Sequence, residues 1–584
     1  MKIKKILVII LIFSIFINIS CISATECNAD ILSENNENNI YIDVNNGNDN
    51  NDGNSWQTSL QTIEKAINLT DTNTTTNIYL NNGTYSGEKN TNLNITNKNK
   101  INIIGSANTI INGENKNIFT ISNNTKITLQ NIQFTNAYIN NTISKGGAIN
   151  FQDNTEIIIE NCQFTNNTGE GNQAYGGAIN IENSDKILID YCIFENNTLI
   201  SYKNQYSLYG GAININNSKQ TVINNTLIKN NKHKYIEKET YFNETTNETE
   251  AYSILENLKS DNYVTKIEKL LDINNNWKYE ISAYKYNNAL SKGGAINIEN
   301  NIKINIENCQ FTNNNAQGEE AYSGAINIEN TTKTIIKNNN FENNSIIAYN
   351  NQNSSYGGAI NIKNNSEIIM ENNTLIQNNI KRNIPPFSEV KITMIKLWEK
   401  NYSYYTSYIP YYKYEYPTLE TINNYGKAIN IEDSGNLEIK NNIITNNSNS
   451  SGNTIQINNT KNIIIYNNTI CNNTSNKITL TKNTDFILIT NGTINIENSE
   501  NIKIIQNKLE NNIIKNGNGG TLYINNNKKT IIENNTITSN TALNKGGAIY
   551  ITNSDKTIPN CKDSSSNLYK KMSCRNRKLY SFVN

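Results

Sequence analysis

The side chains that usually carry catalysis are scarce in this chain. Its 584 residues include one histidine, His233, and three arginines, Arg382, Arg575 and Arg577. Cleaving an acidic glycan by elimination takes an Arg or Lys base and carboxylates that hold calcium. None of the arginines reads as lying in a strand, and His233 falls in an insertion. Hydrolysis takes two carboxyl groups at a set separation, and no such pair stands out. The turn-rich Asp43–Trp56 holds Asp43, Asp49 and Asp52. It lacks the ligand spacing and closing Glu of a calcium loop, and reads as a solvated turn. Eight cysteines show no CxxC spacing for zinc. Cys162, Cys192, Cys309 and Cys471 read as free, buried core thiols. The sequence therefore assigns no catalytic residue, no metal and no cofactor. Its charge is balanced, 51 basic against 51 acidic residues, which speaks against a nucleic-acid partner.

What the chain concentrates is contact chemistry. Two long segments, about 231–292 and 380–425, hold Trp277, Trp398 and a tyrosine run that includes Tyr404, Tyr405, Tyr408, Tyr411 and Tyr412. Amphipathic rings suit carbohydrate or protein partners; they suit equally the packing of an insertion against a scaffold, and both readings stay open. Within the first segment, Thr249–Ser260 and Asp261–Ile273 each show a helical apolar stripe, which predicts a helical hairpin. Ser388–Lys400 in the second predicts another helix.

The scaffold is a repeat. GGAI stands at Gly146, Gly176, Gly210, Gly293, Gly357 and Gly546, with variants at Ser323, Gly426 and Gly519. An Ile-rich run and Phe-x-x-Asn follow, as at Phe164/Asn167 and Phe194/Asn197, with Leu or Ile replacing Phe in other units. A larger duplication shifts Ser144–Asn217 onto Ser291–Asn364 without a gap, and ENCQFTNN recurs whole at Glu160 and Glu307. Within a unit, Ile149/Phe151 and Ile157/Ile159 alternate with polar neighbours, the period of a strand with one buried face. Strands this short bury that face only by stacking on the next unit. Gly-Gly allows a positive φ and close backbone approach, and Asn167 is expected to turn the chain. Each unit is thus one coil of a parallel β-helix, and both long segments leave it at the same point of a duplicated unit. The intervening short segments, such as Thr168–Tyr175, read as loops. Thr58–Leu69 reads as a helix with a Thr58/Gln61 capping box, placed to cover the first strand edge.

GGAI paired with FxxN resembles the repeat of the chlamydial polymorphic outer membrane proteins and of adhesin-like surface proteins of methanogenic archaea, over about Asp43–Thr552. The order turn, helix, strand, Gly83-Thr-Tyr85 resembles the start of pectin-lyase-like β-helices. The resemblance implies an all-β, right-handed parallel β-helix at 41–552 with an N-terminal capping helix and two long, partly helical insertions. It also implies an adhesive role at the cell surface, and supplies no catalytic residue. Asn483-Thr-Asp485 matches one short motif of the polygalacturonases, whose other motifs are missing.

The ends complete the expectation. Residues 1–24 read as a signal peptide: Lys2, Lys4 and Lys5, then an apolar run too short for a membrane anchor. Residues 553–584 read as an irregular basic tail, from a truncated or frame-shifted gene or a natural short secreted form. Sequons such as Asn166, Asn196 and Asn534 mark a glycoprotein if the chain is a secreted archaeal one. The expected function is a non-catalytic adhesin-like protein, extracellular or on the cell surface, that binds cell-surface glycans or proteins. It meets a membrane only through an anchor not seen in this chain. The alternatives are a structural envelope component and, further off, a polysaccharide lyase or glycoside hydrolase.

Overall fold

The computed structural model describes residues 37–201, 206–235, 238–260, 264–271, 277–286, 289–318, 320–348, 355–382, 389–392, 411–414, 424–426, 428–447, 453–475, 492–515, 518–542, 546–562 and 573–575. The signal-peptide reading lies outside them. One coil shows the plan. Ile149–Gln152 lies in a front sheet. The chain turns at Asp153 and runs as Glu156–Glu160 and Gln163–Thr165 along a back sheet. It then leaves the barrel as Thr168–Glu170 and comes back as Gln173–Tyr175, and Gly176-Gly177-Ala178 starts the next coil. Every rung pairs in parallel with the one above. Fourteen described strands stack in the front sheet, a length of about 60 Å at ~4.8 Å per step. The fold is a right-handed parallel β-helix.

The inward columns are those the alternation predicts. Ile149, Ile179, Ile213, Ile296, Ile326 and Ile360 stand in direct register, and each is fully buried. Phe134, Phe164 and Phe194 stack at 4.8 Å between centroids. Each buried Ile or Phe contributes roughly 1.5–3 kcal/mol, repeated once per rung.

Asparagine does two jobs per coil. Asp153, Asn161 and Asn166 take the left-handed conformation at φ 55°, 51° and 59°, which Asn and Asp tolerate best. Asn167, expected to turn the chain, instead points inward: the turning residue is Asn166. Asn167 begins an internal ladder that runs to Asn540. Its Asn197 rung is typical: Nδ2 donates to Phe164 O at 2.9 Å and to Asn231 Oδ1 at 3.0 Å, and the Asn197 backbone N–H donates to the same Oδ1 at 3.0 Å. Cys162, Cys192 and Cys309 occupy a second corner column, which Asn339 and Asn373 continue further along. They are free and buried, and burial pushes the Cys162 thiol up to about 12. Cys471 departs from the expectation: it sits on a strand position, only partly buried, because Asn468 fills its coil's corner.

Several boundaries move. The first helix is Ile63–Asn68, capped by Thr62, whose side chain accepts from Lys65 N. Thr58 is held instead by Asp52 (Oγ1 to Oδ1, 2.6 Å), and Leu60 pairs with Tyr41 and Asp43, so no helix starts there. Among the described residues the stack begins at Glu37, before Tyr41. It also runs past Thr552: Asp555–Lys562 pairs with Lys528–Thr538, and Ser573–Arg575 with Tyr550–Thr552. The described part of the basic tail is thus further coil, because a preceding rung offers its open backbone edge to any extended segment.

Candidate functional site

The short segments read as loops are strands. Thr168–Glu170 and its copies form a seven-stranded parallel sheet, and Gln173–Tyr175 and its copies another. The two pack as an arm standing off the barrel, with small cores of its own. One comprises Ala174, Leu199 and Leu208; another comprises Ala316, Ala321, Ile346 and Ile380. Stacking gives three-residue strands an order that no single copy displays.

The double glycine makes the joint. Gly146 takes φ +63°, and a Cβ on Gly147 would meet Gly177 O at 2.1 Å. The residue just before this joint is Lys or Tyr in successive coils: Lys145, Tyr175, Tyr209, Lys292, Tyr322 and Tyr356. Tyr175 stacks on Tyr209, and Tyr322 on Tyr356, each at 4.9 Å. Lys292 lies between these stacks, 5.8 Å from the Tyr209 ring and 5.9 Å from Tyr322. Its Nζ donates to Glu299 (2.9 Å) and Glu329 (2.8 Å) on the outer face of the front sheet. Burial alone would pull this ammonium down; the two carboxylates outweigh that and hold it above its ordinary range. Lys145 pairs with Glu182 at 2.6 Å in the same way. Burial, with Tyr209 and Glu182 adding to it, pushes the Tyr175 phenol up to about 12. Beneath this row runs a second amide ladder on the front sheet, with Asn214 donating to Asn180 and Asn297 to Asn214 at 2.8 and 2.9 Å. The row clamps arm to barrel. The sequence carries its signal, a Tyr or Lys before the joint in each arm-bearing coil.

His233 sits on the arm strand Lys232–Tyr235, not in an insertion. It is wholly buried, shares a hydrogen bond through Nδ1 with Ser291 Oγ, and has no partner for Nε2 among the described residues. Burial lowers its pKa to about 3. Arg382 and Arg575 also lie in strands, Asn379–Arg382 and Ser573–Arg575, because arm and tail pair where loop was expected. Arg577 and Asn483–Asp485 lie outside the described residues.

Both insertions leave the arm tip. Residues 232–235 and 289–292 belong to the arm, as do 379–382 and 424–425, so the insertions proper span 236–288 and 383–423. In the first, Lys238–Thr245, Val264–Leu271 and Trp277–Tyr286 form antiparallel strands with the helix Glu248–Ser260 beside them. The predicted second helix of a hairpin is the strand Val264–Leu271. Pairing on both its edges overrides the helical stripe, which does not separate helix from strand over so short a run. In the second, Glu389–Ile392 is a strand where a helix was expected, and it pairs antiparallel with Tyr411–Tyr414. It also pairs in parallel with the first insertion, Glu268 opposite Lys391 and Lys269 opposite Ile392. The two insertions thus share one five-stranded sheet. Trp277, Tyr411 and Tyr412 lie on its strands. Trp398, Tyr404, Tyr405 and Tyr408 lie outside the described residues.

Among the described residues no three His, Cys, Asp or Glu side chains converge as a metal site would need. The carboxylates of the acidic turn are engaged within the protein. Asp43 accepts from Asn45, Asn46 and Asn81, and Asp49 from Gln61 and Thr62. For Asp43, burial pushes upward but the hydrogen bonds prevail and hold it below the usual range. A shallow depression at the front-to-back turn, lined by Asn364, Ser366, Asp433, Gly435, Asn459 and Lys461, gathers no catalytic set.

Residues 420–563 match the family described as "Right handed beta helix region", and residues 45–114 match a family described as a protein of unknown function. The hand of the coils follows. The chain is a β-helix protein in its fold. No curated protein matches it. Similar solved structures include the Streptococcus pneumoniae surface protein and adhesin PfbA, at 9% identity and TM-score 0.25, covering 86% of this chain and 91% of that one. Tailspike protein 3 of bacteriophage CBA120 is similar at 9% identity and TM-score 0.25, over 87% and 57%. A rhamnogalacturonan lyase is similar at 11% identity and TM-score 0.20, over 57% and 82%. These likenesses concern the fold alone. No helix among the described residues is long and apolar enough to cross a membrane.

Proposed function

We propose that this is a non-catalytic, adhesin-like protein of the cell surface or extracellular space, and that the insertion sheet is its binding face for a surface glycan or protein. The observation that carries this reading is the pairing of Glu268–Lys269 with Lys391–Ile392. Two segments far apart in sequence leave equivalent arm tips and join in one surface. In a solenoid, insertions at one coil position emerge on one face, often the binding face. The aromatics Trp277, Trp398, Tyr404, Tyr405, Tyr408, Tyr411 and Tyr412 are its candidate contacts.

The test is a deletion. Replacing 383–423 by a short Gly linker should leave the coils folded, seen as unchanged β circular dichroism, and abolish attachment to cells or glycan-coated surfaces. Attachment that survives this deletion and the matching deletion of 236–288 would refute the reading. Regular self-assembly without any attachment would favour a structural envelope component. Release of reducing or unsaturated sugar ends would favour a glycan-cleaving enzyme.

A further inference from the structure

The first coils carry an aromatic and amide patch remote in sequence from the insertions. Tyr41 stacks on Tyr79, with centroids 5.3 Å apart and planes 20° apart. Trp56 meets Tyr41 edge-on at 4.9 Å. Two residues earlier on the same strands, and therefore on the same outward face, runs a three-rung amide ladder. Asn77 Nδ2 donates to Asn39 Oδ1, and Asn102 Nδ2 to Asn77 Oδ1, both at 2.8 Å. The two ends of this ladder, Asn39 Nδ2 and Asn102 Oδ1, have no protein partner among the described residues.

We propose that this patch is a binding site for an uncharged oligosaccharide. An aromatic ring accepts the C–H face of a pyranose while leaving its hydroxyls free. An amide both donates to and accepts from a hydroxyl, and the ladder leaves one donor end and one acceptor end open. The amide column stands two residues from the tyrosine column, about 6.8 Å. Tyr41 and Tyr79 turn their faces to each other, so the exposed Trp56 is the ring on which a sugar would rest, and a chain running from it along the tyrosine edges passes the amides. These six side chains are amides, phenols and an indole, which recognise hydroxyls without formal charge. Asp52 is engaged by Thr58 and Asn54, and the charged residues one step beyond the amide column, Glu37 and Lys100, are of opposite sign, so the patch has no net charge that selects for a charged ligand. Rings that only sealed the end coil would be covered, yet Trp56 keeps 43% of its surface exposed.

The experiment titrates the full chain with neutral tetra- to hexasaccharides of glucose, mannose, galactose and N-acetylglucosamine, and with a galacturonate hexamer as the charged comparison. Calorimetry and tryptophan fluorescence are the readouts. At least one neutral series should bind, and more tightly than the galacturonate hexamer. Trp56→Ala should weaken that binding about tenfold, Asn39→Ala should weaken it less, and Trp56→Phe, which keeps a ring, should retain most of it. Unchanged melting of each variant guards against loss of fold. Failure of every neutral oligosaccharide to bind the wild-type chain would overturn the proposal, and so would wild-type affinity in Trp56→Ala. The chain lacking 383–423 should bind these sugars unchanged, which separates this site from the insertion sheet.

Discussion

The coils that carry the arm and those that follow Tyr425 solve one problem in two ways. Both share the front and back sheets, the inward Ile column and the internal Asn ladder. In the arm-bearing coils the outer column of the front sheet is asparagine, and Asn180, Asn214, Asn297, Asn327 and Asn361 are all buried beneath the Tyr, Lys and Glu row. Further along, the same column reads Gln456, Asn495, Tyr523 and Tyr550. The last two stack on each other at 5.5 Å and are nearly buried. The outer face of the front sheet is covered by a row clamped over amides in the first region and, at Tyr523 and Tyr550, by the sheet's own rings. The arm lifts two insertions to one place, and only its outgoing strands have described counterparts further along, at Thr474–Ser475, Ile513–Ile514 and Thr541–Ala542.

The comparison breaks hardest at the barrel. Ile179→Asp puts an unpaired charge into a column buried in every coil, so it should prevent folding, read as insoluble or unfolded protein. Wild-type melting of that variant would show the column to be wrong. Lys292→Ala strikes the clamp and leaves Glu299 and Glu329 facing each other. It should cost about 3 kcal/mol in urea unfolding and expose arm strands to protease before barrel strands. Asn197→Ala removes one rung of the internal ladder and leaves Phe164 O short of a donor. A loss of roughly 1–3 kcal/mol is expected, with the arm still clamped.

The effect that is smallest at neutral pH is a pH dependence in the arm. His233 is neutral in the folded chain with a pKa of about 3, against an ordinary value near 6.5. Between those values the unfolded chain binds a proton that the folded chain refuses. This group's contribution is therefore intact above pH 6.5 and lost as pH falls toward 3, at up to about 1.4 kcal/mol per pH unit. His233→Leu should lose less stability than wild type between pH 6 and pH 4. Parallel pH curves for the two would contradict the burial described.

How much of this was legible follows from what each residue needs. The Ile column and the GGAI joint were readable because burial and positive φ impose a residue type at every coil. The arm was not, because strands such as Thr168–Glu170 hold no periodicity of their own and become strands only by stacking on their copies. The helical stripe at 264–271 misled because pairing partners 277–286 and 391–392 are not visible in a local window. The tail was read as irregular from composition, whereas backbone pairing of 555–562 asks little of side chains. At the candidate site, the clustering of tyrosine and tryptophan in the insertions was visible, but their meeting in one sheet was not, since it joins segments over a hundred residues apart.

That meeting is the central claim, and a crosslink tests it most directly. Glu268 and Lys391 are register partners, and adjacent strands bring Cα atoms within the ~4.4–6.8 Å a disulfide spans. The double variant Glu268→Cys, Lys391→Cys, oxidised under mild conditions and mapped by peptide mass spectrometry, should yield a disulfide-linked peptide joining the two insertions, whereas Glu268→Cys paired with Lys238→Cys should not. Absence of the 268–391 link, with both thiols still reactive, would contradict a shared insertion sheet.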